Sequence, residues 1–356
     1  MKELTTVGIG LSLSASAATL QAQDRSQSRS MVISKSGIVA SENVLASQVG
    51  ARILEHGGNA IDAAVATNAM MGLVAPMNDG IGGDLFAIVY EAKTGKLYGL
   101  NSSGWAPAGL TPEFLKSKGI GEMPQSGINS VTVPGAVDGW DKLLTRFGKM
   151  KFADVLAPAI GYADEGFAVG EVVHVFWHDS EKTLQADPAT ARTYLIDGHV
   201  PAVGENFRNP DLAWSYRQIA THGRDAFYKG AVAQKIIATS KAHGGTMTAA
   251  DLSGFNGEWV DPISTSYHGW TVYELPPNGQ GIAALEMLNI METFPLAEYG
   301  HNSTRALHTM IEAKKLAYAD MIRYDADPRF AEIPVDGLKS KEFAKTRAAL
   351  IDPLAA

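Results

Sequence analysis

Cysteine is absent from this 356-residue chain, which excludes thiol nucleophiles, disulfide bridges and cysteine-ligated zinc together. Positive charge is also scarce: 30 Lys and Arg stand against 38 Asp and Glu, for a formal net charge of −8. A surface that tracks phosphates needs the opposite imbalance, so no nucleic acid is expected as a partner. No membrane span is expected either, because the apolar run at residues 7–20 is serine-diluted and too short to cross a bilayer. The remainder is globular in composition, 46% hydrophobic and 19% charged. Its length suffices for a sizeable core in one large domain or two.

The run at 7–20 reads instead as the centre of a secretory signal. Lys2 precedes it, and Ala15-Ser16-Ala17 and Leu20-Gln21-Ala22 offer small-residue cleavage sites. Residues 1–22 are therefore expected to be a signal peptide, 23–30 a polar tail and 31–356 the folded part, placed in the periplasm or outside the cell. A disordered leader or a misplaced start codon is the alternative.

The most informative stretch is Gly57-Gly58-Asn59-Ala60-Ile61-Asp62-Ala63-Ala64-Val65-Ala66. The glycines stop one helix, and Asn59 caps the next with Asp62 at its third position, a variant of the capping box. Ala, Val and Met then fill a helix with almost no charged face, which predicts burial on nearly every side. Gly80-Ile81-Gly82-Gly83-Asp84 follows as a sharp turn into a strand. It lacks both the dinucleotide and the P-loop patterns, so nucleotide binding is not expected. Periodicity predicts helices at 44–56, 59–73, 133–147, 152–166, 209–222, 230–243 and 303–324, with a Thr-capped start at Thr111-Pro112 and a short capped turn at 248–252. Strands are expected at 31–33, 37–40, 85–90, 97–100, 263–267 and 271–275, with a hairpin turn at 93–96. The class is mixed α+β with an antiparallel sheet.

Several blocks, in this order, resemble the gamma-glutamyltransferase (gamma-glutamyltranspeptidase) family. They are residues 57–66 and 80–86, Ala106-Pro107, Ser130-Val131-Thr132-Val133-Pro134-Gly135, Asp225-Ala226-Phe227-Tyr228-Lys229-Gly230, Pro276-Pro277-Asn278-Gly279-Gln280-Gly281, and Glu312-Ala313-Lys314-Lys315-Leu316-Ala317-Tyr318-Ala319-Asp320. The resemblance implies an N-terminal-nucleophile hydrolase fold, an αββα sandwich. It also implies a precursor that cleaves itself into a large and a small subunit. In the family the nucleophile is the threonine that opens the small subunit, after the segment that here reads Leu350-Ile351-Asp352-Pro353. No such threonine is in this chain. The expectation is a large-subunit part only, with no catalytic residue of its own, inactive alone and partnered in a heterodimer by a small subunit from the same precursor. No cofactor and no metal are expected.

Typical members carry, just before the Ala-Pro, an arginine that pairs with the substrate's α-carboxylate, a task that suits the planar guanidinium fork. Here the segment is Asn101-Ser102-Ser103-Gly104-Trp105-Ala106-Pro107. Ser103 takes the typical arginine's place and Trp105 the place used by divergent members. Ser103, Trp105 and Asn101 are thus the candidate substrate-binding residues, with no cation among them. Either the pocket is retuned toward a less polar acyl group with Trp105 as a wall, or another arginine replaces the contact and Trp105 is core. The 276–281 loop is expected to be a structural turn, or to turn backbone N–H groups toward a carboxylate at a helix N-terminus.

Two further groups have plainer readings. His174 and His178 are four apart, with Asp179 and Glu181 nearby, and are expected on a solvated helix face rather than at a metal. Glu312, Lys314, Lys315 and Asp320 alternate in sign and are expected to form surface pairs, unless Tyr318 and Asp320 buttress a subunit interface. The functional expectation is an exported gamma-glutamyltransferase or glutathione hydrolase-like amidase acting on a small-molecule amide. The alternatives are an acylase of the same superfamily on a non-glutamyl amide, such as a cephalosporin side chain, or a non-catalytic remnant.

Overall fold

A computed structural model describes residues 31–355, and the architecture is organised around the helix that carries almost no charge. The expected signal peptide and polar tail lie outside the described residues. Helix α1 (Val44–Glu55) starts on Asn43, whose side chain accepts from Leu45 N–H. Helix α2 (Ala60–Val74) starts on Asn59 with the capping box complete: Asn59 Oδ1 accepts from Ile61 and Asp62 N–H at 2.9 and 3.1 Å, and Asp62 Oδ2 accepts from Asn59 N–H at 2.8 Å. Val65, Met70, Leu73 and Val74 on α2 are at most 1% exposed, each contributing roughly 1.5–3 kcal/mol of burial. Asp62 is itself fully buried and is satisfied a second time by Lys149 and Met150 N–H, both at 3.0 Å.

Strands β1 (Leu85–Glu91) and β2 (Lys96–Ser102) form the expected hairpin. Then come α3 (Pro112–Ser117), α4 (Ala136–Phe147), α5 (Phe152–Glu165) and β3 (Phe167–Ala168). Three short helices follow, α6 (Glu171–Asp179), α7 (Glu181–Gln185) and α8 (Pro188–Tyr194), then β4 (Asn206–Phe207), α9 (Pro210–His222), α10 (Arg224–Tyr228), α11 (Ala231–Ala242) and α12 (Ala249–Gly254). The last part holds β5 (Glu258–Val260), β6 (Ile263–Tyr267), β7 (Trp270–Glu274), α13 (Gly281–Met291), α14 (Leu296–Tyr299), α15 (Thr304–Tyr324), α16 (Val335–Leu338) and α17 (Lys341–Ala348). None of these helices is long and apolar enough to cross a membrane.

The main sheet is antiparallel in the order β1-β2-β5, with Phe86 opposite Asn101 and Asn101 opposite Glu258. Its two faces differ. Leu85, Ala87, Val89, Leu100 and Trp259 point into the core built on α1, α2, α4, α5 and α9. On the other face of β1, Phe86, Ile88 and Tyr90 are 44%, 41% and 64% exposed. The expected strands at 31–33 and 37–40 are not present, and Met31, Val32, Ile33 and Ile38 are exposed. β-branched residues favour a strand only where an edge pairs with them, and no described strand does. One of the chain's two compact units begins at Val39.

The last long helix also corrects an expectation. Lys315 pairs with Glu312 on the surface at 2.9 Å, but Asp320 is 1% exposed and takes an ion pair from Arg347 of α17. Glu286 of α13 is buried beside the same pair. Burial first, then the neighbouring Asp320 carboxylate, pushes Glu286 up to about 9. It therefore keeps in the fold a proton that the unfolded chain loses near 4.5, so its contribution is most favourable below pH 4.5 and declines as pH rises to about 9. Glu286→Gln, which keeps the shape without the titration, is expected to raise the melting temperature at pH 8 and to change it little at pH 4.5, as read by circular dichroism melts at both pH values.

Candidate active site

The sharp turn at Gly83 places the site. Its carbonyl accepts from Gly135 and Ala136 N–H at 2.9 and 3.0 Å, which fixes the start of α4 against the start of β1. The 130–135 block then lies along the end of β2. Val133 N–H donates to the Trp105 carbonyl at 2.9 Å, and Ser102 Oγ to the Gly135 carbonyl at 2.8 Å. The approach is close enough that only glycine fits at two points. A Cβ on Gly135 would stand 1.8 Å from the Ser102 carbonyl oxygen, and one on Gly104, at φ +79°, 1.9 Å from that of Val133.

Behind this contact lies a buried polar knot. Asp138 is fully buried and accepts from Gly257 N–H at 2.8 Å, from Arg224 Nε at 2.5 Å and from Ser102 Oγ at 3.4 Å. Tyr228, from the 225–230 block, donates to the Pro134 carbonyl at 2.7 Å and accepts from Asp138 N–H at 3.1 Å. Burial holds its phenol well above the usual range. The Arg224 guanidinium lies 4.3 Å from the Tyr228 ring and also donates to the Phe255 carbonyl.

In front of the knot is a cavity of about 390 Å³ whose lining includes Asn101, Ser103, Trp105, Asn278 and Arg329. The structure thus brings all three sequence candidates to one place. Asn101 Nδ2 donates to Asn278 Oδ1 at 2.7 Å, and Asn278 Nδ2 donates to Ser103 Oγ at 3.2 Å. The 276–281 loop therefore meets the cavity through the Asn278 side chain. Trp105 is half-buried, packs edge-on against Phe255 at 5.1 Å and also walls the cavity. One guanidinium missed by sequence reasoning stands there too, that of Arg329, 5.0 Å from the Trp105 ring. No motif marks it, since it lies in a turn far along the chain from Trp105. Glu258, Asp327 and Glu332 complete the charged lining. Among the described residues the lining holds no histidine or lysine.

The histidine pair lies elsewhere, on α6. Its rings stack 6.1 Å apart, His174 Nδ1 donates to the Pro201 carbonyl at 2.8 Å, and His178 approaches Glu181 at 3.8 Å. Among the described residues no group of three potential ligands is placed to hold a metal ion.

The sequence profile of gamma-glutamyltranspeptidase matches residues 46–356. The chain belongs to the gamma-glutamyltranspeptidase family. It is 39% identical over 325 residues to the glutathione hydrolase-like YwrD proenzyme of Bacillus subtilis, covering 91% of this chain and 62% of that protein. The crystal structure of Helicobacter pylori gamma-glutamyltranspeptidase superposes with a TM-score of 0.86 at 31% identity, over 92% of this chain and 95% of that one. The cephalosporin acylase of Bacillus halodurans gives 0.86 at 40% identity, over 93% of this chain and 62% of that one. The family's N-terminal-nucleophile hydrolase fold is therefore the fold of this chain, which spans 55–62% of the length of the first curated relatives it matches.

The close approach at Gly104 supplies a test of the site's framework. Gly104→Ala is expected to cost roughly 1–3 kcal/mol from the left-handed backbone, with overpacking against Val133 adding as much again. Gly119→Ala, at φ +73° but facing open space, is expected to show the backbone cost alone. Urea denaturation of both variants reads the difference.

Proposed function

We propose that this chain is the large-subunit part of an exported amide hydrolase or acyltransferase of the gamma-glutamyltransferase type. The observation that carries the proposal is the make-up of the cavity: amide, hydroxyl, guanidinium and carboxylate groups that can bind a small polar acyl group, with no histidine or lysine among the described residues of the lining to activate the one hydroxyl, Ser103. Such a site binds and needs a nucleophile from elsewhere. The family supplies one as the N-terminal threonine of the small subunit. Its hydroxyl attacks the amide carbonyl while its own α-amine takes the proton, the amine product leaves, and water or a second amine releases the acyl group from the resulting ester.

Two observations support a two-chain protein. This chain covers nearly all of one crystallographic chain of the Helicobacter pylori relative but only 62% of a proenzyme relative. The outer face of β1 also leaves Phe86, Ile88 and Tyr90 exposed in a row beside Asn101, an apolar strip suited to cover by the remainder of a precursor. Export rests on the signal-like residues 1–22. A second reading, an acylase acting on a non-glutamyl amide, is favoured by the absence of a cation at positions 103 and 105 and by the 40% identity to a cephalosporin acylase.

The chain expressed alone is expected to release no aniline from gamma-glutamyl or glutaryl anilides, and to bind a hydrophobic dye strongly. Expression from the complete reading frame is expected to give turnover and to suppress dye binding. Turnover by the chain alone overturns the two-chain reading. A properly folded product of the complete frame that turns over neither anilide supports a non-catalytic remnant instead.

A further inference from the structure

Among the described residues that line the cavity Arg329 is the one cation, and its guanidinium is held at one edge and one face. It lies in the turn after α15, where Phe330 and Ala331 N–H donate to the Asp327 carbonyl at 2.9 and 3.2 Å. Its own N–H donates to Asp327 Oδ1 at 3.0 Å. One edge of its guanidinium is taken by the same carboxylate: Nε reaches Oδ1 and Oδ2 at 2.9 and 3.1 Å, and Nη2 reaches Oδ2 at 2.5 Å. One face lies 5.0 Å from the Trp105 ring centre. Among the described residues Nη1 makes no hydrogen bond to a carboxylate or carbonyl, and the side chain is 44% exposed.

Clamped at one edge and stacked on one face, the guanidinium has little freedom left to lose when a ligand arrives. Its hydrogen bonds and charge keep the Asp327 carboxyl below the usual range, so the pair stays ionised. The free donors at Nη1 match a carboxylate in the plane of the fork. Glu258 and Glu332 supply negative charge to the same lining, which suits an ammonium on the same ligand. The indole gives the stack a flat support that a serine or an aliphatic residue would not.

We infer that Arg329, seated on Trp105 and clamped by Asp327, is the specificity-determining residue that binds the free carboxylate of the acyl group. The substrate class is then amides of short dicarboxylic acids whose second carboxylate is free, with or without an amine beside it. Trp105 supports the cation instead of turning the pocket apolar. The inference rests on the amide-cleaving reading for its kinetic test and is independent of it for its binding test.

The kinetic test compares γ-glutamyl, glutaryl and 4-aminobutanoyl anilides, the last lacking the free carboxylate, on protein expressed from the complete reading frame. Arg329→Gln is expected to raise KM for the first two at least tenfold. It should also lower the kcat/KM preference for glutaryl over 4-aminobutanoyl anilide at least tenfold. Arg329→Lys, which keeps the charge but not the fork, should fall between. A merely structural role would change all three substrates together, and that result, or no change, overturns the inference. The binding test is calorimetric titration with glutarate, which needs no turnover. Binding by the parent that Arg329→Gln weakens at least tenfold supports the assignment even if no anilide is cleaved. No glutarate binding, or binding that survives the substitution in a variant with an unchanged melt, overturns it.

Discussion

A carboxylate taken out of water costs several kcal/mol unless charge and hydrogen bonds replace its hydration, and Asp138 is fully buried. Its compensation comes from four parts of the chain: Ser102 at the end of β2, Gly257 just before β5, Arg224 at the start of α10, and Lys142 one turn along α4 at 3.9 Å. None of these can shift without stranding the charge, so the site inherits its rigidity from this one requirement. Arg224 extends the knot to the Phe255 carbonyl, and Phe255 in turn packs on Trp105. The front wall of the cavity is thus tied to the buried carboxylate behind it.

The sheet explains why the site lies where it does. Side chains alternate across β1, so burying Leu85, Ala87 and Val89 on the helices obliges Phe86, Ile88 and Tyr90 to face away. The same pleat puts Phe86, Asn101 and Glu258 in one row on that outer face. Groups that line the cavity and an exposed apolar strip therefore share a surface. The helical side gives the chain a core of its own, and the other side leaves Phe86, Ile88 and Tyr90 exposed.

A second, smaller cluster around Ile290, Ala313 and Ala344 holds α13, α15 and α17 together. Asn289 joins it to the β6–β7 hairpin by accepting from Thr265 Oγ1 and donating to the Lys339 carbonyl, both at 2.7 Å. The Asp320–Arg347 pair with the neutral Glu286 forms its polar centre. This cluster sets both ends of the cavity's far side, because α13 follows the loop that carries Asn278 and α15 leads into the turn that carries Arg329.

What the sequence determined by itself is local. The Asn59–Asp62 box, the caps on Thr111 and Thr248 and the 93–96 hairpin are satisfied within a few residues, so composition and spacing are enough to place them. The ordered blocks also identify the family, and they locate Asn101, Ser103 and Trp105 as residues of interest. Strands at 31–33 and 37–40 could not be settled this way, since a strand exists only with a paired edge. The burial of Asp320 was likewise hidden, because its partner Arg347 is 27 residues away on another helix. Which groups share the cavity was decided by the tertiary structure alone. Asn101 meets Asn278 across 177 residues, and Arg329 reaches Trp105 only because the turn after α15 is brought back to the end of β2. A cap is a matter of backbone geometry over one helical turn, whereas a binding cavity is the space left where distant segments pack, and its charge is known only when they have met.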